Sequence, residues 1–292
     1  DTLCILTNTP ESKQQIHLYN RNYEYITSSG LIGKGPGEIT NPFLAVLDEK
    51  NKSVWMMDMG RKELLKFPVD SMLLNPNFLP QKSIPIPNDY IIMQYSPYKD
   101  NMFTFSDLYT ENALISVIDQ SGELVDSLQI KKSDKLTNLD NRNSNQIKLS
   151  FLYAKHPKKN IYALAYRFSD KIAIINSKGK LIAGAQGPDI INQKPEGSNK
   201  DLIRCYTDIH CDQNYIYALY RGSTLFDSNN EIVYPKTIHV FNWKGKPIAR
   251  LKLPHPVMLF SLDNSTNGFV SFSQLTGGIV YFSLPSGQLM NP

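Results

Sequence analysis

Two Tyr-Arg pairs follow two similar apolar stretches of the chain. "IYALAYR" ends in Tyr166 and Arg167, and "YIYALYR" ends in Tyr220 and Arg221. An arginine guanidinium makes planar, paired hydrogen bonds to a carboxylate or phosphate, and a tyrosine offers a stacking face and a hydroxyl. The recurrence therefore predicts a site for an anionic group, such as an acidic sugar, a peptide carboxylate or an acidic loop of a partner.

A glycine-rich segment, "LIGKGPGE", raises a second kind of chemistry. A phosphate-binding loop offers consecutive backbone N–H groups at the start of a helix. Here Pro36 removes one of these donors, and the alternating segment after it has no helical period. Pro36-Gly37 instead suits a type II turn, in which glycine takes the positive φ. The segment is predicted to be a connection between strands and not a nucleotide site.

Nucleophilic catalysis has little support in the sequence. There is no G-x-S-x-G motif, and the five histidines lie in unrelated segments. The three cysteines, Cys4, Cys205 and Cys211, favour buried thiols over a Cys205–Cys211 bridge, since two residues six apart on one strand lie about 20 Å apart. "DIHCD" suggests a transition-metal site, but it spans a strand and the turn after it.

The elements that must position these residues are short strands in a repeated unit. Six hairpin-like segments recur, and the polar residue that ends the first strand of each falls at Asn20, Asp70, Asp119, Asn176, Asn242 and Ser283. Upstream of each hairpin lies another alternating strand, and five of these are preceded by a further one. Each repeat is thus predicted to be a four-stranded meander of roughly fifty residues, with little helix.

Six such units are typical of an all-β, six-bladed β-propeller of four-stranded antiparallel blades, here one domain over residues 1–292. The first blade lacks its innermost strand before Asp1. That strand is expected from a removed leader region or from the C-terminal "GQLMNP", and the two termini are expected to meet in one blade.

A propeller of this kind predicts where ligands bind. Loops that enter the innermost strands and leave the second strands line the mouth of the central channel, where Asp58 and Tyr109 also fall. The predicted ligand-binding residues are Arg61, Asp107, Tyr166, Arg167, Arg204, Tyr220 and Arg221. The alternative is that these arginines pair with nearby aspartates and only order the loops.

A second constellation at the same mouth would suit a cation. Six-bladed lactonases and related lyases hold a divalent metal on the axis, and oxygen ligands there could bind Ca²⁺. The candidates are Glu38, Asn41, Asp89, Asn145, Asp201 and His255. Asn and Asp are also common in loops because they tolerate turn conformations, so the prediction is no cofactor, with axial Ca²⁺ as the alternative.

The segment from Gly30 to Phe67 resembles an NHL-type propeller repeat: a glycine-rich loop, a proline, a strand, a polar turn, a strand ending in Asp and a turn with Arg. Its "GKGPGE" form resembles the TolB-like six-bladed propellers of Bacteroidetes-type bacteria, with "AGAQGP" as a fainter copy. The resemblance implies an exported, often lipid-anchored protein of mostly unassigned activity. It implies no catalytic residues, and a lipid-bearing cysteine would have to precede Asp1.

The charge and hydrophobicity of the chain limit the classes of partner that we expect. The 31 basic and 27 acidic residues give a net charge of +4 without a broad basic stripe, which argues against nucleic acid. No apolar run is long enough for a transmembrane helix. We therefore expect a monomeric, periplasmic or outer-membrane-anchored protein that binds a protein, a glycan or an anionic small molecule without catalysis. The alternative is a metal-dependent hydrolase of the lactonase or lyase type.

Overall fold

The computed structural model describes residues 2–6, 12–99, 102–107, 114–129, 150–191, 193, 201–263, 268–273 and 275–283. Within these residues the chain forms 22 strands and one short helix. The strands form six sheets, four of four strands and two of three. The predicted predominance of antiparallel β-meanders is confirmed.

The chain divides into two compact units. Unit 1 comprises Asp1–Phe105 with Ser116–Ser127, and unit 2 comprises Ser106–Ile115 with Leu128–Pro292. The single domain expected from the repeats stays a prediction.

Unit 1 begins with a three-stranded sheet in the order β1-β2-β3. Its strands are β1 (Thr2–Leu6), β2 (Gln14–Asn20) and β3 (Tyr25–Leu31). The next sheet has the order β4-β5-β6-β7. Its elements are β4 (Pro42–Asp48), β5 (Ser53–Asp58), β6 (Glu63–Pro68), helix α1 (Val69–Leu74) and β7 (Ser83–Pro85).

Helix α1 corrects the predicted hairpin of this sheet. The residues that follow Asp70 in this hairpin-like segment, "SMLL", were predicted to form its second strand. They lie in α1 instead, and the fourth strand of the sheet is β7. Pro68 ends β6, and Asp70 lies in the first turn of the helix, where a carboxylate is favourable. Met72 is buried against Leu65 and Phe67, so packing of one apolar side chain fixes this short helix.

A third sheet has the order β11-β10-β9-β8. Its strands are β8 (Ile92–Pro97), β9 (Phe103–Asp107), β10 (Leu114–Ile118) and β11 (Leu124–Gln129).

Unit 2 contains three further antiparallel sheets, each in sequence order. The first two have four strands: β12 (Phe151–Lys155), β13 (Ile161–Tyr166), β14 (Lys171–Asn176) and β15 (Leu181–Gln186), then β16 (Arg204–Cys211), β17 (Tyr215–Ser223), β18 (Thr237–Asn242) and β19 (Pro247–Lys252). The last has three: β20 (Phe260–Asp263), β21 (Gly268–Ser273) and β22 (Gly278–Ser283).

The sheets of unit 2 bury both faces, as stacked blades require. On β17, Ile216, Ala218 and Tyr220 pack in one core cluster together with residues of β13 and β14. The alternate residues of β17 pack in a second cluster, together with β21 and β22. Because successive side chains of a strand point to opposite faces, one strand serves both neighbours.

The glycine-rich segment forms the predicted turn. Glu38 N donates to Gly35 O at 3.2 Å across Pro36 and Gly37, and Gly37 has a φ of +74°. Residues 33–38 contain no helix, and Ile32 forms a bridge with Ile39 before β4 starts. Glu38 Oε2 accepts a hydrogen bond from Gly35 N, so the carboxylate stabilises its own loop.

Among the described cysteine side chains, Cys205 and Cys211 are free thiols, as predicted. Burial raises the pKa of each to about 12, so both stay protonated at neutral pH. Cys211 Sγ donates to Lys155 O, which is a structural role.

Candidate functional site

Two of the predicted arginines lie on one aromatic ring. Arg167 directly follows β13 and Arg204 begins β16, and their guanidinium carbons lie 5.9 and 5.3 Å from the ring centre of Phe168. Phe168 is buried. Cys205 N donates to Arg167 O at 2.7 Å, which joins the two segments directly. The backbone therefore places Arg167 and Arg204 side by side.

Arg221, on β17, is the third member of the group, which we call the arginine cluster: Arg167, Arg204 and Arg221. Burial, together with the positive charges of Arg204 and Arg221, lowers the pKa of Arg167 to about 10. Burial and the charge of Arg204 lower the pKa of Arg221 to about 10, and burial lowers that of Arg204. All three remain cations at neutral pH, and they repel one another.

Two members of the cluster, Arg204 and Arg221, have no carboxylate partner among the described residues. Arg204 Nε, and Nε and Nη1 of Arg221, are buried without a hydrogen-bond partner among the same residues. An unsatisfied buried donor costs roughly 1–3 kcal/mol. An anion placed here would satisfy these donors and relieve the repulsion.

Gln193 supports the cluster, and sequence reasoning missed it. Its Nε2 donates to Phe168 O at 3.0 Å and to Ile203 O, and its Oε1 accepts from Ile203 N. The amide thus ties the loop after Arg167 to the residue before Arg204. No local pattern marks this glutamine, because its partners lie 10 and 25 residues away.

The two tyrosines of the Tyr-Arg pairs do not accompany their arginines. Tyr166 packs in a core cluster with Phe151, and burial raises the pKa of Tyr166 to about 12. Tyr220 packs in the core cluster shared with β13, where its hydroxyl donates to Asp189 Oδ2 at 2.6 Å. Neighbouring strand residues point to opposite faces, so the tyrosine and the arginine of each pair have different surroundings.

The remaining members of the predicted set lie elsewhere. Arg61, in unit 1, donates from Nη2 to Gly35 O at 2.7 Å and lies 3.8 Å from Glu63. This is the loop-ordering role that was the alternative for all the arginines. Asp107 ends β9, but its side chain lies outside the described residues, as does all of Tyr109.

Asp58 is an anchor for the same loop in unit 1. Its carboxylate accepts hydrogen bonds from the Thr40 N–H and hydroxyl and from the N–H groups of Asn41, Gly60 and Arg61. Burial opposes the charge, but these hydrogen bonds outweigh it and lower the pKa of Asp58. The Asp58 carboxylate therefore satisfies the backbone N–H groups of this turn.

A second buried polar group surrounds Asp170, which is fully buried. Tyr206 donates to Asp170 Oδ1 at 2.8 Å, and Asp189 N donates to Asp170 Oδ2 at 2.9 Å. The Tyr206 oxygen lies 3.3 Å from His239 Nδ1, and the rings of Tyr220 and His239 stack at 4.3 Å. We call Asp170, Asp189, Tyr206, Tyr220 and His239 the Asp170 network.

The cation ligands expected on the axis were Glu38, Asn41, Asp89, Asn145, Asp201 and His255. No set of three or more His, Cys, Asp or Glu side chains suited to a metal occurs in the described part of the chain. Glu38 holds the glycine loop, and Asn145 lies outside the described residues. Axial Ca²⁺ stays the alternative prediction.

The "DIHCD" side chains divide between two tasks. Asp208 accepts from Phe260 N and lies 3.4 Å from His210 Nε2. Asp212 accepts from the Tyr217 hydroxyl at 2.8 Å and from the N–H groups of its own turn. Asp208 and His210 thus pair with each other, and Asp212 orders its own turn.

The repeated antiparallel sheets, stacked through both faces, define a β-propeller with four-stranded blades. The chain belongs to the TolB-like 6-blade propeller-like family, whose sequence profile matches residues 1–265. No curated protein matches the chain.

Solved structures that are similar to the chain agree in fold. One is "KlHsv2 with loop 6CD replaced by a Gly-Ser linker", 11% identical with a TM-score of 0.51, covering 96% of this chain and 86% of that one. Another belongs to a mitotic checkpoint complex, 8% identical with a TM-score of 0.53, covering 98% of this chain and 71% of that one. At these identities the likeness concerns the fold alone.

Proposed function

We propose that this protein is a non-enzymatic binding or scaffold propeller that holds an anionic group at the arginine cluster. The supporting observation is that Arg204 and Arg221 keep buried N–H groups without partners and without any described carboxylate. Arg167 extends the positive surface beside Phe168. Guanidinium groups bind carboxylate and phosphate in paired geometry, so both are suitable ligands.

The finer expectations from the sequence belong to the same proposal. We infer six blades in one ring closed by the two termini, because six sheets occur in the described residues and the family has six blades. An exported, envelope-located protein of Bacteroidetes-type bacteria fits the "GKGPGE" resemblance. Among the described residues no helix is long and apolar enough to cross a membrane. Whether a lipid anchors the protein, and whether it is a monomer, stay predictions.

A thermal-shift titration tests the anionic site. The probes are citrate, inorganic phosphate, an oligogalacturonate and a short poly-glutamate peptide, with neutral oligosaccharide as the uncharged comparison. At a hundredfold excess over Kd, binding stabilises a fold by about 2.7 kcal/mol. We expect at least one anion to raise Tm and the neutral sugar to have no effect.

Matched variants locate the effect. Arg167→Ala combined with Arg221→Ala should abolish the anion-dependent shift. Lys178 and Lys244 lie exposed in equivalent hairpin turns of the two sheets that carry the cluster. Lys178→Gln with Lys244→Gln removes the same number of charges and should leave the shift intact. If both double variants lost the anion-dependent shift equally, the shift would depend only on the overall charge of the protein, and the site would be refuted.

A further inference from the structure

We propose that unit 2 contains a second binding site, for a small, neutral, mostly apolar molecule that donates one hydrogen bond. The site is a cavity of about 360 Å³ between the end of β15 and strands β18 and β19, bordered by His239. This volume is at the lower end of the range for small-molecule pockets. The site is independent of the arginine cluster.

The cavity is a gap between two neighbouring sheets. Gly245, in the turn after β18, packs closely on Gly184 of β15, since a Cβ on Gly245 would lie 2.7 Å from Gly184 O. The cavity begins at Gln186, two residues further along β15, and extends to Arg250 of β19. The sheets therefore touch at one end of their outer strands and separate at the other.

The walls are mainly apolar. Phe241 is buried in the core cluster shared with β13 and β14, and exposed Pro188 follows the end of β15. Exposed Pro247 completes the apolar side. A ligand with an apolar body gains by leaving water here, at roughly 25 cal/mol per Å² of apolar area.

His239 contributes the polar contact. The imidazole is only 3% exposed, and its Nε2 has no hydrogen-bond partner among the described residues. Its Nδ1 lies 3.3 Å from the Tyr206 oxygen, and stacking on Tyr220 fixes the plane of the ring. The ring is therefore held in place before any ligand arrives.

The hydrogen-bond order in the Asp170 network determines what His239 can accept. Tyr206 uses its single O–H hydrogen to donate to Asp170. The Tyr206 oxygen can then only accept, so Nδ1 of His239 carries the hydrogen between them. Burial lowers the pKa of His239 to about 4, so the ring is neutral at neutral pH. Nε2 is consequently a bare lone pair, which needs a donor such as a hydroxyl or an N–H group.

Phenol, anisole and toluene are matched probes for this site. All three have the same apolar ring, but phenol donates a hydrogen bond, anisole only accepts, and toluene does neither. The protein has five histidines, so it is labelled with ¹⁵N at histidine and the titrations are followed by the ring ¹⁵N resonances. We expect phenol to shift the Nε2 resonance of His239 and to bind about tenfold more tightly than anisole or toluene.

Two variants distinguish the contribution of the His239 hydrogen bond from that of the cavity space. His239→Phe keeps an aromatic ring beside Tyr220 and should remove the preference for phenol over anisole. Pro247→Phe, on β19 opposite Phe241, adds bulk to the cavity lining without touching the Asp170 network and should abolish binding. Ile182→Phe adds the same bulk at an exposed position of β15 outside the lining and should bind phenol normally.

Three results would overturn this site. They are anisole binding as tightly as phenol, a phenol titration that leaves the His239 resonance unmoved, and undiminished binding to Pro247→Phe.

Discussion

The hydroxyl of Tyr206 donates to the fully buried carboxylate of Asp170 at 2.8 Å, across 36 residues of sequence. Asp170 lies between β13 and β14, and Tyr206 lies on β16 of the neighbouring sheet. The hydrogen bond therefore connects two sheets through their shared core. A buried polar pair of this kind stabilises the fold only while both partners are present.

Tyr206→Phe should destabilise the protein by about 1–3 kcal/mol, because it removes a donor from a buried charged acceptor. Urea unfolding followed by circular dichroism measures the change. Tyr90→Phe is the control, since the Tyr90 hydroxyl has no hydrogen-bond partner among the described residues. It should alter the unfolding free energy by less than about 0.5 kcal/mol.

A double-mutant cycle completes the comparison. Asp170→Asn combined with Tyr206→Phe should cost less than the sum of the two single changes, since contacting residues are coupled. Simple additivity would mean that the two side chains do not share a hydrogen bond.

Gly37→Ala should destabilise the fold more than other Gly→Ala changes. Gly37 has a φ of +74°, and a Cβ there would lie 2.8 Å from Pro80 O. Two glycines isolate the contributions: Gly277 has a φ of +65° with open space around it, and Gly278 has neither constraint. We expect a loss of about 1 kcal/mol for Gly277→Ala, a larger loss for Gly37→Ala and the smallest for Gly278→Ala. Equal melting temperatures for all three would contradict the turn.

The loop around Gly37 also shows what the sequence could predict. The dipeptide Pro36-Gly37 was enough to predict the turn. The alternation of apolar and polar residues was enough to predict the strands. By contrast, "SMLL" was assigned to a strand although it is helical, because the packing of Met72 decides it. Local patterns identified strands and turns, whereas a six-residue helix depends on what covers it.

The candidate site was predictable only in part, for a similar reason. Matched positions after two strands identified Arg167 and Arg221, and the charge of Arg221 contributes to the lowered pKa of Arg167. The same reasoning predicted Tyr166 and Tyr220 at the mouth of the channel, and in the structure both pack in core clusters. The Asp170 network could not be predicted, since it assembles residues from separate strands and loops.

Asp58→Asn should remove a pH-dependent part of the stability. Hydrogen bonds from Thr40, Asn41 and Gly60 outweigh burial and lower the pKa of Asp58 below its ordinary value of 3.8. A carboxyl with a lowered folded-state pKa stabilises the fold above its unfolded pKa, and this contribution is lost as pH falls through the folded value. Urea titrations from neutral pH down to about pH 3 should show the wild type losing stability faster than Asp58→Asn.

The control for this titration is Asp89→Asn, because Asp89 is exposed and has no hydrogen bond to its carboxylate among the described residues. It should follow the wild-type pH dependence. A parallel decline of wild type and Asp58→Asn over the whole range would show that Asp58 does not contribute to the acid sensitivity.

Arg221→Met should leave the ligand-free protein as stable as the wild type, or more stable by up to about 1 kcal/mol. The change removes buried N–H groups without partners and a like charge beside Arg204. Arg61→Met is the opposite case, because Arg61 donates to Gly35 O, and it should lose about 1 kcal/mol. Differential scanning calorimetry with and without inorganic phosphate measures both variants. If Arg221→Met were as destabilising as Arg61→Met, Arg221 would be a structural residue and the arginine cluster would lose its main support as a binding site.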